Sequence, residues 1–499
     1  MKTRLFIIIL LIGCTTLSCE DWLKETSGTE MSINGQFESE DGFRDALTGV
    51  YLGMQEPKLY AMNLTWHFIE FIAQQYAQIS GMYNIYLLSY QYQQNRVVPY
   101  IDNIWQGQYN LIANINIMLL ELEKRQDDVS PLFYKLMKGE LLGLRAFFHF
   151  DLLRLYGYGD WSNRTDLNSR YTIPYVTKYT KDLTPQLSYT ETFKLIEKDL
   201  AEALELLKED YIYGAHADDN TYYTNVNGNH GFFTYYRNYR MNYYAVRALQ
   251  ARTWLWEGSP ESKAKALAAA EEVIESDIWA WVNPRSLTNS NPDNRDMTFT
   301  NEHIFAIHVA DLKDIIGVWF DASNPNATYE RCFLTEKRAQ TVYEADKVEN
   351  ELDIRYINLI ERQGSGLRNY APRKLFQSEN NSNYGQRIPL IRVTEMFYIA
   401  AECLTTGPNK NYGKAIEYLN TVREKRNITQ PLSSDLTESE IMNEITKEYM
   451  KEFVCEGQLF YHYKRLGFSE ILGYIGTMTD KEYMLPYPVS EVTYGNRVQ

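Results

Sequence analysis

Between residues 131 and 156 the apolar residues Leu141, Leu144, Phe148, Leu152 and Leu155 recur three or four positions apart. That spacing lines one face of an α-helix and would scatter across both faces of a strand. The same period recurs along the chain. It predicts helices over 41–56, 104–124, 131–156, 190–208, 239–257, 262–276, 389–406 and 412–426, and a last one over 437–466. A chain written this way must bury helix faces against other helices. Gly157, Gly258 and Gly407 fall just past helix ends, where a left-handed cap favours glycine.

The eight helices before residue 430 form four pairs. When the chain is shifted by 149 residues, Ala251, Leu255, Gly258, Ala266 and Val273 fall on Ala400, Leu404, Gly407, Ala415 and Val422. Both windows read as helix, short Gly/Pro loop, then an alanine-containing helix. This is the logic of tetratricopeptide-like pairs, where small residues let two helices approach. The expected fold is all-α dominated. Four such pairs form a curved scaffold, joined by a loop-rich lobe with a few short strands. The lobe is expected from insertions at 57–100, 209–238 and 277–388, because loops that long usually carry function. Residues 19–499 read as one domain, with helix pairs within 41–276 and 389–426.

Residues 1–18 read as a secretory signal. Lys2 and Arg4 precede an apolar run from Leu5 to Gly13, then small and polar residues. The run is too short and wrongly flanked for a membrane span. A cysteine at its end suggests a bacterial lipoprotein. Cys14, in LIGC, fits a lipobox better by letter, but a cut there leaves a signal of only 13 residues. Cys19, in TLSC and followed by Glu20 and Asp21, is the expected lipidation site. An ordinary cleaved signal with an incidental cysteine is the alternative. The formal net charge is −15, and Lys2 and Arg4 are the only charges in residues 1–18, so residues 19–499 carry −17. Such a polyanion repels nucleic acid and anionic membrane surfaces. No other apolar run approaches a span, so the membrane attachment expected is the lipid. Cys332, Cys403 and Cys455 remain, which allows one disulfide at most. Cys403, in the apolar run FYIAAECL, is expected to be a buried free thiol.

Signatures of catalysis are missing. There is no P-loop, no dinucleotide-binding glycine pattern and no G-x-S-x-G elbow. His303 and His308 are five apart in an expected strand and would point to opposite faces, so they make no metal pair. Asn225, Asn227 and Asn229 imitate a calcium loop without its carboxylates, glycine or closing glutamate. No catalytic carboxylate pair can be singled out among 65 acids. The chain is therefore expected to be no enzyme, with no cofactor and no metal. Its compositional outlier is aromatic: 40 Tyr, 21 Phe and 9 Trp. Tyrosine joins a flat apolar face to a polar tip and suits wet binding surfaces, although most of these rings are expected to pack helices.

Several segments resemble the SusD/RagB family of outer-membrane nutrient-binding lipoproteins of Bacteroidetes. SCEDWL at 18–23 is similar to the family's mature start. GELLGLRAFFHFDLLRLYG at 139–157 resembles its most characteristic helix, and YRMNYYAVRALQARTWLWEG at 239–258 the next block. IPLIRVTEMFYIAAEC at 388–403, AIEYLNTVREKR at 415–426, KEFVCEGQLFYHYKRLG at 451–467 and LPYPVSEVTYGN at 485–496 follow in order. Gln458, His462 and Tyr463 stand where the family commonly has other residues before the closing arginine, here Arg465. They mark a divergent branch at positions expected to be structural. The resemblance implies a surface lipoprotein that captures oligosaccharides or oligopeptides. It would act as the lid of a SusC-like TonB-dependent outer-membrane transporter. It also implies that the ligand site lies in the insertions. The candidates are Trp66, Tyr83, Tyr86, Trp319 and Phe320, then Tyr222 and Tyr223; Trp279 and Trp281 follow a helix directly and are weaker. The alternatives are a secreted glycosidase or peptidase on a helical scaffold, and a tetratricopeptide-like assembly scaffold without a small ligand.

Overall fold

The apolar stripes form helices, and the helices pack in series. A computed structural model describes residues 33–77, 84–213, 237–321, 324, 331–363, 369–376, 378, 380–381 and 383–498. Cys19, Tyr83, Tyr222, Tyr223 and the Asn225–Asn229 segment lie outside the described residues. The longer helices are α1 (Glu40–Met54), α2 (Val98–Lys124), α3 (Pro131–Tyr156), α4 (Tyr189–Leu206), α5 (Tyr243–Glu257), α6 (Pro260–Glu275), α7 (Leu312–Phe320), α8 (Glu336–Tyr343), α9 (Val393–Thr406), α10 (Tyr412–Lys425), α11 (Glu438–Glu452) and α12 (Leu459–Arg465). From α1 to α6, and on through α9, α10 and α11, each helix packs against the next. The fold is the helix-dominated, tetratricopeptide-like arrangement expected. The repeat supplies its contacts: Ala251, Ala266, Val273, Ala400, Ala415 and Val422 have no exposed surface. Their short side chains let α5, α6, α9 and α10 approach closely. Ser188 with Glu191, and Thr437 with Glu440, close capping boxes at the starts of α4 and α11. No helix among the described residues is long and apolar enough to cross a membrane.

The strands are short. β1 (Tyr171–Pro174) pairs with β2 (Gln186–Ser188), and β3 (His303–His308) pairs with β7 (Arg387–Arg392), both antiparallel. β4 (Leu334–Thr335), β6 (Asn369–Pro372) and β5 (Ile360–Gln363) form a three-stranded sheet in that order. His303 is buried and His308 exposed, at opposite ends of β3.

Four expectations need correction. The helix placed at 389–406 starts at Val393, because 387–392 is spent on β7. The helix placed at 437–466 is broken between Glu452 and Leu459. Cys455 and Gly457 take positive φ there, +65° and +70°, and a Cβ on Gly457 would lie 2.6 Å from the Leu64 carbonyl oxygen. The loop-rich insertion expected over 57–100 ends sooner and does not lie wholly at the surface. α2 takes up Val98 onward, and Leu59–Tyr76 is almost wholly buried. Of the three helix-end glycines, only Gly258 is left-handed. Gly157 and Gly407 are extended, and glycine is needed there for closeness: a Cβ on Gly157 would meet Leu153 O at 2.6 Å, and one on Gly407 would strike Cys403 O. Cys332, Cys403 and Cys455 are all buried, and none is in a disulfide among the described residues.

A buried ion network joins the last helices, and nothing in the sequence pattern announces it. Arg392 at the end of β7 reaches Glu302, Glu452 and Glu456. Arg426, just past α10, reaches Glu302 at 2.6 Å and Glu452 at 2.7 Å. Arg355 reaches Asp353, Glu448 and Glu452, and Lys374 pairs with Glu456. One residue past Glu456, Gly457 N–H donates 2.8 Å to Glu70 Oε1. The network thereby ties the scaffold to the buried 59–77 segment. Gln458, His462, Tyr463 and Arg465 are built into the same region. Gln458 accepts from Arg154, His462 meets the Thr446 hydroxyl at 3.0 Å, and Arg465 grips Glu402 with two bonds.

Candidate functional site

Two concavities of similar size lie side by side where residues 74–77 and 85–94 meet α8 and the C-terminal turns. One, of about 610 Å³, is lined by Gln74, Tyr76, Ile85, Leu88, Arg338 and the turn Leu472–Gly476, with Thr335, Lys337 and Thr341 on the α8 side. Its neighbour, of about 590 Å³, is lined by Ser89–Gln94, Tyr158, Arg170, Asp480, Lys481, Met484 and Pro486. Ser89 lines both, and Tyr90 meets Tyr474 edge-on at 4.9 Å between them. We treat them as two halves of one groove, each the size of a small-molecule site. Most of its walls lie outside the helix pairs.

The walls are held by hydrogen bonds from behind. Gln74 and Tyr90 both take positive φ, +59° and +53°, a strain that surrounding contacts must fix. Gln74 Nε2 donates to Leu88 O at 2.9 Å and to the Tyr90 hydroxyl at 3.1 Å, and that hydroxyl donates to Ile72 O at 2.8 Å. Tyr92 donates 2.6 Å to Glu482 O. Burial pushes the Tyr90 and Tyr92 hydroxyls well above the ordinary phenol range, so both stay protonated donors. Gln91, Gln93 and Gln94 remain exposed. They present amides able both to donate and to accept. Tyr474 is half-buried, and a Cβ on Gly476 would come within 2.6 Å of its ring, so only glycine lets that turn lie against it. Arg164 and Arg170 flank the Tyr158 ring at 5.3 and 5.5 Å. Asp480, the only carboxylate among the described lining residues, is held by Arg164 at 2.6 Å.

A smaller cleft of about 290 Å³ lies between α7 and Pro372–Phe376, where Arg373 covers the Phe376 ring at 3.7 Å. Phe320 lines it while remaining largely buried. The structure brings three of the expected ligand residues together. Trp66 lies 6.3 Å from Trp319 and 5.3 Å from Phe320. They form a wall behind the groove rather than its surface. Trp66 has no exposed area, and its Nε1 donates 2.6 Å to Ala61 O. Trp319 is half-buried and packs 4.3 Å from His67. Tyr76 joins this wall to the groove; its ring is 6.3 Å from Phe320, and it lines the larger half. Tyr86 is half-buried against the core, on the short helix Ile85–Leu88 at the groove rim. Trp279 and Trp281 pack on the core, the second 5.1 Å from Phe397. Sequence reasoning missed Gln91–Gln94, Tyr158, Arg338 and Tyr474. Two local signals were present: glutamines interleaved with tyrosines at 91–94, and a tyrosine bracketed by glycines at 473–476.

No group of three His, Cys, Asp or Glu side chains that could hold a metal occurs among the described residues. Residues 21–226 match a family described as "Starch-binding associating with outer membrane", and residues 335–497 match one described as the SusD family. No curated protein matches the chain. Solved structures with the same fold include a SusD superfamily protein of Bacteroides thetaiotaomicron, with 18% identity, 92% of this chain and 99% of that chain covered, and a TM-score of 0.69. A SusD-like carbohydrate binding protein of Bacteroides vulgatus has 16% identity, 92% and 97% coverage and a TM-score of 0.69. A surface glycan-binding protein A of Bacteroides thetaiotaomicron has 16% identity, 93% and 99% coverage and a TM-score of 0.66.

Proposed function

This chain belongs to the SusD/RagB family, and on that premise we propose that it captures oligosaccharide nutrients at the cell surface and passes them to a partner transporter. The observation that carries the reading is the paired groove. Tyrosine faces, exposed glutamines and a fixed aromatic wall suit a polyhydroxylated ligand, which offers apolar ring faces and many hydroxyls. A neutral amide neither repels nor over-binds a ligand that must later be released. The lining also supports binding without turnover. Glycoside hydrolysis needs two carboxylates flanking the bond; Asp480 stands alone among the described lining residues and is already paired with Arg164.

Lipidation at Cys19 would hold the protein at the outer membrane. The acidic body carries no span among its described helices, so passage across the bilayer needs a barrel. A SusC-like TonB-dependent transporter is that partner in this reading, with the chain as its lid. Tethering raises the concentration of captured ligand at the barrel mouth without new contacts. Mixing the purified chain with candidate oligosaccharides and oligopeptides tests the capture step. Binding heat without any product is the expected result; cleavage products, or heat only with peptides, would overturn it. Mild detergent extraction of native membranes should recover the chain with a large β-barrel protein, and recovery as a free monomer beside an expressed transporter would refute the partnership.

A further inference from the structure

One charged group in the groove stands apart from every other buried cation cited above. Arg338, on α8, is 9% exposed, yet Nε, Nη1 and Nη2 all lack a hydrogen-bond partner. Arg237, Arg355, Arg392 and Arg426 are buried more deeply still, and each is surrounded by carboxylates. A buried guanidinium without an acceptor is strongly disfavoured. Burial pushes the Arg338 group below its ordinary value, with Tyr463 and Glu70 only partly opposing. Such an arrangement persists where an acceptor arrives from outside.

The surroundings say what kind of acceptor. Arg338 lines the larger half of the groove, and no acidic side chain is among the described residues lining that half, although the whole chain carries −15. Lys337 adds an exposed second cation. Gly473, with φ +101°, lies against the guanidinium, and a Cβ there would come within 3.4 Å of Nη1. That φ is one that residues with a side chain rarely adopt, so glycine holds the turn in this course. Ile85, Leu472 and Ile475 are exposed at the rim; apolar walls lower the local dielectric and strengthen a charge contact inside.

We propose that Arg338 is the anion-reading residue of this groove, and that the captured oligosaccharide carries carboxylate or sulfate groups. The inference rests on the glycan-capture reading and sharpens it to acidic glycans. The planar guanidinium can take two oxygens of one anionic group, which places the sugar that bears it. The Leu472–Gly476 turn shifts to admit the anion, while Tyr474 offers its ring to the neighbouring residue.

The test uses titration calorimetry on the lipid-free chain from residue 20. The ligands are an oligogalacturonate, a chondroitin sulfate oligosaccharide, a maltooligosaccharide of equal length and an oligoglutamate peptide, each against wild type, Arg338→Met and Tyr474→Ala. At least one acidic oligosaccharide should bind wild type at least tenfold more tightly than the neutral one, and added salt should weaken it. Arg338→Met should cut that preference below threefold while melting no lower than wild type, because it removes an unpaired buried charge. Which acidic ligand binds tells carboxylate from sulfate. Equal binding of neutral and acidic oligosaccharides, an unchanged preference in Arg338→Met, or tighter binding of oligoglutamate would each overturn the proposal. If Tyr474→Ala weakens neutral binding while Arg338→Met leaves the preference intact, glycan capture stands and the acidic-glycan inference falls. If no saccharide binds wild type, both fall.

Discussion

Glu452 is the hinge of the buried ion network, and replacing it with glutamine isolates the contribution of one charge. Glu452 has no exposed side-chain area. It accepts from Arg392 Nη1 at 2.7 Å, Arg426 Nη2 at 2.7 Å, Arg426 Nε at 3.1 Å and Arg355 Nη1 at 2.9 Å. Burial alone would raise its pKa, but the Arg426, Arg392 and Arg355 guanidinium groups hold it well below the ordinary carboxylate range. A hydrogen bond to a charged group is worth about 1.5–3 kcal/mol, so four would sum to more than any single variant loses. The loss is bounded because Glu302, Glu448, Glu456 and Asp353 still contact the same cations. What is lost is the carboxylate that three buried guanidinium groups share, and removing one partner of a buried ion pair is expected to cost about 3–5 kcal/mol of folding stability. Urea unfolding followed by tryptophan fluorescence and near-ultraviolet circular dichroism measures it, with coincidence of the two probes required before a free energy is assigned. Glu205→Gln, which breaks the exposed Lys208–Glu205 pair, is the control and should not change the midpoint measurably. A loss below about 1 kcal/mol for Glu452→Gln would show that the neighbouring acids substitute for it and would refute this account of the network.

Three further outcomes follow from single residues. Burial holds Glu70 up at about 8, so the native state keeps a proton that the unfolded chain gives up above its ordinary value near 4.5. Stability should therefore fall as pH rises between those values, by up to ~1.4 kcal/mol per pH unit. His67, His149 and His303, which burial lowers to about 3, act oppositely up to about 6.5; a shallower slope for Glu70→Gln than for wild type between about pH 6.5 and 8 is thus the diagnostic result, and equal slopes would contradict it. Gly258→Ala should lose about 1–2 kcal/mol through its left-handed φ, and Gly407→Ala should lose more, because its new methyl strikes a main-chain carbonyl; the reverse order in thermal melts would undo the distinction drawn between the two caps. Tyr474→Ala should weaken saccharide affinity by ~0.5–3 kcal/mol while the chain stays folded by circular dichroism, and unaltered affinity would remove that ring from the site.

The scaffold was legible because periodicity is local. The stripe Leu141, Leu144, Phe148, Leu152, Leu155 and the recurrence of Ala251 and Ala266 at Ala400 and Ala415 need no knowledge of distant chain. The groove was not legible, because it is assembled from segments as far apart as Gln74 and Gly476. The burial of Trp66 was not legible for a definite reason. Its neighbours Asn63, Thr65, Glu70 and Gln75 are polar and read as loop, yet all are buried, and Thr65 and Gln75 spend their side chains on main-chain carbonyls. The break after Glu452 was hidden for a related reason: the apolar period continues across it, and only the contact of Gly457 with Leu64 shows why the helix must stop.

The central claim is that the paired groove holds a saccharide, and a crystal structure of the chain grown with an oligosaccharide that binds it in solution tests that claim most directly. The account expects intact sugar density along the groove, with a ring against Tyr474 and hydroxyls within hydrogen-bond distance of the Gln91–Gln94 amides. Density on the helix pairs or in the cleft beside Phe320, with the groove empty, would contradict it.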